Sequence, residues 1–185
     1  MKKYLLPSLI LTVVFIVICS VLYPLLIAGV AKFAPGGGKG ETVSVNGKVV
    51  GYANIGQKFT ADKYFWSRPS AAGYNAAGSS GSNKGPSNPD FLKQVQATID
   101  TFIAHNPTVK KEEIPSELVT ASGSGLDPDI TPQAAYIQVA RIAKARNIDE
   151  DKLKDLVTSH IEKYLLGPSE KINVLKLNID LDKLK

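Results

Sequence analysis

YLLPSLILTVVFIVICSVLYPLLIAGVA, residues 4–31, contains no Asp, Glu, Lys, Arg or His, and its reading decides how the rest of the chain is organised. As one helix rising 1.5 Å per residue it reaches roughly 40 Å. That exceeds the roughly 30 Å of bilayer hydrocarbon, so the stretch spans a membrane with room for tilt. Pro24 removes one helical hydrogen bond and predicts a kink there or a shift to an interfacial segment, whereas Pro7 lies near the start, where proline is tolerated. Lys2 and Lys3 precede the stretch and Lys32 and Lys39 follow it, a near tie under the positive-inside rule. A short basic tag before a long apolar run reads as a signal anchor, with the N-terminus cytoplasmic and the remainder exported. Cleavage after the small residues Ala28 to Ala31 is the competing reading, but secretory apolar regions run only about 7–15 residues.

The boundaries that follow are 1–34 for the cytoplasmic N-terminus and transmembrane anchor, 35–40 for a flexible glycine-rich tether, and 41–185 for one extracytoplasmic domain. About 150 residues suit a single compact domain with a modest core. Cys19, the sole cysteine, lies in the apolar run behind Ile18, where a lipoprotein site needs a small residue, and one cysteine excludes internal disulfides. Without Lys2 and Lys3 the net charge of +5 falls to +3, and the charges are interspersed, which gives no support to nucleic-acid binding.

Within the domain, Asn46-Gly47 between Thr42–Val45 and Lys48–Tyr52 predicts a type I′ hairpin. Residues 67–89 hold Ser, Gly, Asn, Ala and Pro with almost no large aliphatics, so a long loop is expected, disordered or functional. Asn88 caps a helix opened by Pro89, with Phe91, Leu92, Val95, Ile99, Phe102 and Ile103 at helical spacing up to Asn106-Pro107. Glu117–Ala121 reads as a short buried strand, followed by turns at Ser122–Gly125 and Asp127-Pro128. Thr131 caps a second helix whose end carries Arg141, Lys144 and Arg146. Asp149 caps a third, with an Ile148–Leu153 staple, running to Gly167-Pro168. Ile172–Ile179 alternates with a phase slip between Val174 and Leu175, which predicts a bulged strand. The fold class is α+β: one N-terminal transmembrane helix plus a single mixed domain.

Catalytic signatures are scarce. His105 and His160 have no second His or Cys at metal-ligand spacing; His105, at a helix end, suits the dipole. Ala121–Gly125 has glycines at the wrong offset for a nucleophile elbow, and a tight turn explains it. Gly81–Gly85 lacks the phosphate-loop order, although Gly-rich backbone near helix starts at Asn88 and Thr131 can hold an anion. Asp127 and Asp129 offer oxygens to a cation, yet turn chemistry accounts for them. Val50-Gly51-Tyr52 matches part of a potassium filter by chance, since it lies in a soluble hairpin. Tyr64-Phe65-Trp66 with Arg68 reads either as a binding hot spot or as core aromatics with a stacked arginine.

Several runs together resemble the C subunit of the Kdp-type high-affinity potassium-transporting ATPase over nearly the whole chain. They are Ile55–Thr60, Tyr64–Ala71, Tyr74-Asn75, Gly78–Asn83, Leu118–Asp127, Ile130–Ala135, and Gln138 with Arg141 and Ala143–Arg146. The sequence departs from the family pattern at Lys84, Asp129 and Ala140. The resemblance implies a non-catalytic, accessory subunit of an inner-membrane complex that imports potassium at the cost of ATP. Its partners would be a channel-like subunit, an ATP-hydrolysing pump subunit and the lipid bilayer, with no nucleic acid. No Asp-Lys-Thr-Gly-Thr phosphorylation sequence and no set of pore spans is present.

The family is also described as a catalytic chaperone that raises the pump subunit's ATP affinity and binds the nucleotide. An exported domain cannot reach cytoplasmic ATP, so this conflicts with the topology above. ATP is retained as a candidate cofactor, with Ser79, Ser80, Ser82 and Asn83 as its contacts. Tyr64, Trp66, Arg68, Asp127, Gln138, Arg141 and Arg146 are the motif residues expected at a partner surface. The rival classes are an anchored binding module for another partner and a secreted enzyme.

Overall fold

The computed structural model describes residues 2–163 and 170–184, which fall into two compact units, residues 1–42 and 43–185.

The first unit is the apolar helix. Lys3–Ala31 is helical throughout, 29 residues, and none of its most apolar stretch is buried. Helix α1 (Lys2–Val17) passes through a π-helical turn, Ile18–Leu22, into α2 (Tyr23–Ala31). The π-turn is how the chain accommodates Pro24. The proline ring would meet the carbonyl of Ser20 in a regular α-helix, and the wider turn, in which Tyr23 N–H donates to Ile18 O, relieves that clash. The hydroxyls of Ser8 and Thr12 donate back to the carbonyls of Leu5 and Ser8, so these polar side chains need no water. Pro35–Gly38 then forms a tight turn with Gly36, Gly37 and Gly38 all at positive φ, a conformation side chains would resist.

The second unit opens with the expected hairpin, β1 (Thr42–Val45) and β2 (Lys48–Tyr52), turned by Asn46 and Gly47 at φ 50° and 77°. The main sheet is small and antiparallel, in the order β3-β5-β4: β3 (Asp129–Ile130), β5 (Glu170–Asn173) and β4 (Glu162–Lys163). Ile130 sits opposite Ile172, and Glu162 opposite Lys171. Helices α4 (Pro132–Tyr136) and α7 (Val174–Leu181) pack against β5, and α6 (Glu150–Ser159) packs in turn against α4, α7 and α5 (Val139–Arg146). Between them lies the core of Phe65, Phe102, Leu118, Ile130, Ala134, Val139, Ile142, Leu153, Val157, Ile172, Leu177 and Leu181. Helix α3 (Pro89–His105) is capped as expected, with Asn88 Oδ1 accepting from Asp90 and Phe91 N–H. It buries Phe102.

Four expectations are corrected. Glu117–Ala121 is not a strand: after Pro115 the chain winds into a 3₁₀ turn, Ser116–Leu118, and Glu117 Oε1 accepts from both N–H and Oγ1 of Thr131. Leu118 and Val119 are buried by packing alone. The second helix breaks at Ile137-Gln138 into α4 and α5. Helix α5 ends on Asn147 at φ 55° with Ile148 N–H returning to Ala143 O, a left-handed C-terminal closure. The third helix stops at Ser159 with His160 as its C-cap, so His160 is not within a helix; Gly167 and Pro168 lie outside the described residues. Ile172–Ile179 is not one bulged strand. It is the end of β5 and the start of α7, and the phase slip at Val174-Leu175 marks the change of period from 2 to 3.6.

Candidate functional site

Residues 62–64 form a turn, with Tyr64 N–H donating to Ala61 O, and residues 65–67 leave it without joining a sheet, so the other backbone polar groups of the segment need partners elsewhere. Two buried amides supply them. Asn178 on α7 accepts from Phe65 N–H at 2.9 Å and donates to Phe65 O at 3.0 Å. Gln138, between α4 and α5, accepts from Trp66 N–H at 2.8 Å and donates to Ala134 O at 2.9 Å. Both side chains act as a neighbouring strand would, and both are buried.

Two arginines from α5 complete the clasp. Arg141 donates from Nε to Asn106 Oδ1, from Nη1 to the carbonyls of Asp62 and Tyr64, and from Nη2 to Gln138 Oε1. Its guanidinium stacks 4.5 Å from the centre of the Trp66 ring. Burial lowers its pKa to about 10, opposed by the charge of Asp62, so it stays protonated at neutral pH. Arg146 donates to Lys63 O and Asp182 Oδ1 and lies over the Tyr64 ring. Tyr64 in turn donates to Asp182 Oδ2, and burial, then that carboxylate, raises its pKa. Phe65 is core, half-buried Tyr64 and Trp66 pack against it, and the arginines stacked on those two rings are 146 and 141, not the adjacent Arg68. Trp66 also meets Phe102 and His105 edge-on. His105 Nδ1 is 2.7 Å from Asp62 Oδ1.

Arg68 and Asp127 form a separate ion pair at 2.7 Å. Asp127 Oδ1 also accepts from Asp129 N–H, while Asp129 faces Lys171 at 2.9 Å. The two carboxylates are thus engaged by different cations rather than converging on a cation site. Among the described residues no group of three or more His, Cys, Asp or Glu side chains converges as a metal site requires.

The serine-rich loop is laid against the Ser122–Gly125 turn. Ser79 Oγ and Ser80 N–H both donate to Ser124 O, Ser70 Oγ donates to Gly125 O, and Ser122 N–H donates to Pro69 O. Gly125, at φ 67°, approaches Ser80 O so closely that a Cβ there would lie 2.8 Å from it. Ser82 lines a cleft of about 310 Å³ with Lys84, Gln94, Thr98 and Val119, and exposed Asn83 turns the chain at φ 52°. Of the four residues expected at a nucleotide, Ser79 and Ser80 are thus partly engaged in holding the loop, and Ser82 faces a cleft.

Asp62, Asn106, Asn178 and Asp182 were missed by sequence reasoning. They reach their partners across 35 to 118 residues, and no local spacing marks them.

Residues 5–183 match the family model described as KdpC: K+-transporting ATPase, c chain. A protein from Flavobacterium johnsoniae named potassium-transporting ATPase KdpC subunit is 61% identical over 175 residues, covering 95% of each chain. One of the same name from Bacteroides fragilis is 54% identical over 188 residues, covering 99% of this chain and 98% of that one. Another, from Caldanaerobacter subterraneus, is 46% identical over 173 residues, covering 92% and 90%. With its apolar N-terminal helix and its mixed α+β domain, the chain belongs to the KdpC family, the c chain of K+-transporting ATPases.

Proposed function

We propose that this chain is an accessory, non-catalytic subunit of an ATP-driven potassium import complex in the cell membrane. The helix Lys3–Ala31 anchors it, the N-terminus lies in the cytoplasm, and the domain stands outside. There it packs on the channel-like subunit and stabilises the assembly near the ion entrance, while the pump subunit hydrolyses ATP. The observation that carries this reading is the joining of one long, exposed apolar helix to a domain whose motif arginines are engaged within the domain, Arg141 by carbonyls, amides and the Trp66 ring, Arg146 by Lys63 O and Asp182, and Arg68 by Asp127. Such arginines rigidify a binding surface rather than carry out chemistry.

The second reading is a catalytic chaperone that raises the pump subunit's affinity for ATP. Ser82 and Lys84 in the cleft beside α3 favour it, and it needs the domain on the cytoplasmic side. One experiment separates the two: single cysteines at Ser87 and Lys152, both exposed, in a Cys19→Ser chain, with a membrane-impermeant thiol reagent applied to intact cells. Labelling is the expected result. Protection until the cells are lysed would place the domain inside and leave the chaperone reading standing.

A further inference from the structure

The π-turn of the apolar helix solves one problem and creates another. In a regular helix the carbonyl of Cys19 would take the N–H of Tyr23, four residues on. Here that N–H goes to Ile18 O. A π-turn would offer Cys19 O the N–H of residue 24 instead, and residue 24 is proline, which has none. Cys19 O is therefore left without either of the donors that a helix supplies at that position. The side chains beside it are unsatisfied too. The hydroxyls of Ser8 and Thr12 bond back to their own helix, whereas those of Ser20 and Tyr23 make no hydrogen bond among the described residues.

Depth decides what can meet these groups. Cys19 lies two residues past the midpoint of Lys3–Ala31, about 3 Å along the axis. In a helix that spans the bilayer it stands near mid-depth, roughly 15 Å of hydrocarbon from either surface. Lipid tails donate no hydrogen bond, so a carbonyl unmet there is costly. Cys19 and Ser20 are small and exposed, which lets a second helix bring a side chain close to the backbone. The chemistry of that side chain follows from what is missing: the carbonyl needs a donor, and the Ser20 hydroxyl needs an acceptor. A carboxamide or a hydroxyl supplies both, whereas a carboxylate only accepts and an ammonium only donates.

We infer that the Cys19–Ser20 turn is where the span meets a transmembrane helix of another subunit of the potassium-transporting complex, through an Asn, Gln, Ser or Thr side chain that donates to Cys19 O and accepts from the Ser20 hydroxyl. This rests on the accessory-subunit reading and gives it an intramembrane contact. Cys19 is the sole cysteine, so growth on cysteine carrying a heavy carbon isotope at its carbonyl labels this one backbone group. Solid-state NMR of the full chain in phospholipid vesicles, alone and co-purified with the other subunits, then reads its hydrogen bonding. The resonance should move downfield on assembly. In Pro24→Ala it should already be downfield in the chain alone, because a regular helix returns Tyr23 N–H to Cys19 O. Retention of that variant by the complex in detergent should fall about 3- to 10-fold, the worth of one intramembrane hydrogen bond. Ser8→Ala should be retained like the unaltered chain. A resonance that does not move on assembly would overturn the inference. So would one already downfield in the unaltered chain alone, met by water if indifferent to the chain's density in the vesicle and by a second copy if it grows with that density. A chain that never co-purifies with other subunits would instead overturn the accessory-subunit reading, and the inference with it.

Discussion

Arg141 shows how a charged side chain is kept inside a small domain. It is 7% exposed, and among the described residues its hydrogen bonds go to no carboxylate oxygen. Its donors go to two carbonyls and two amide oxygens, and its face goes to Trp66. A planar fork can serve partners in several directions at once, whereas an ammonium of similar reach is a point charge with no stacking face. Arg141→Lys is therefore expected to destabilise the domain by about 2–4 kcal/mol in urea unfolding of the detergent-solubilised chain, although charge is unchanged, because several buried acceptors lose their donor. A loss of less than about 0.5 kcal/mol, the scale of an ordinary surface change, would mean that the clasp is redundant.

Asn173 does comparable work for a whole element. Its Oδ1 accepts from Lys176 N–H and starts α7, while its Nδ2 donates to Ala53 O and fixes the base of the hairpin. Asn173→Ala removes a cap worth about 1 kcal/mol and a buried amide bond worth about another 1–2 kcal/mol. Asn173→Ser, which caps but lacks the amide donor, should recover only the first part. Amide exchange should separate the two effects, with Lys176 N–H protected in the Ser variant and exposed in the Ala variant. This junction also marks where the sequence was legible and where it was not. Helix α3, the hairpin, and the caps Thr131 and Asp149 announce themselves because each is a local pattern: a cap, a turn dipeptide, a periodic face. The β5–α7 junction hides because its strand and helix each offer too few residues to establish a period. The 3₁₀ turn at Ser116–Leu118 hides because burial of Leu118 and Val119 looks the same from the sequence in a strand or a turn. The clasp was legible only as residue types, since Asn178, Asn106 and Asp62 meet the aromatic run and Arg141 through the tertiary fold.

At the scale of the molecule, the main buried cluster runs from Phe65 to Leu181, with Phe59 and Leu184 packed against it, and every hydrogen bond of the clasp is made within the second unit. Residues 3–40 contribute no buried side chain to that core, and the apolar helix satisfies most of its backbone groups internally, which suits a hydrocarbon surrounding. A chain starting at Glu41 should therefore fold without membrane or detergent, giving a cooperative thermal transition within about 5 °C of the domain transition in the full chain, a shift corresponding to about 1 kcal/mol for a domain of this size. Calorimetry of the truncated chain is the decisive measurement. A broad or absent transition would mean that the anchor, rather than the Phe65–Leu181 core, organises the domain, and the division of the chain into independent anchor and domain would fail.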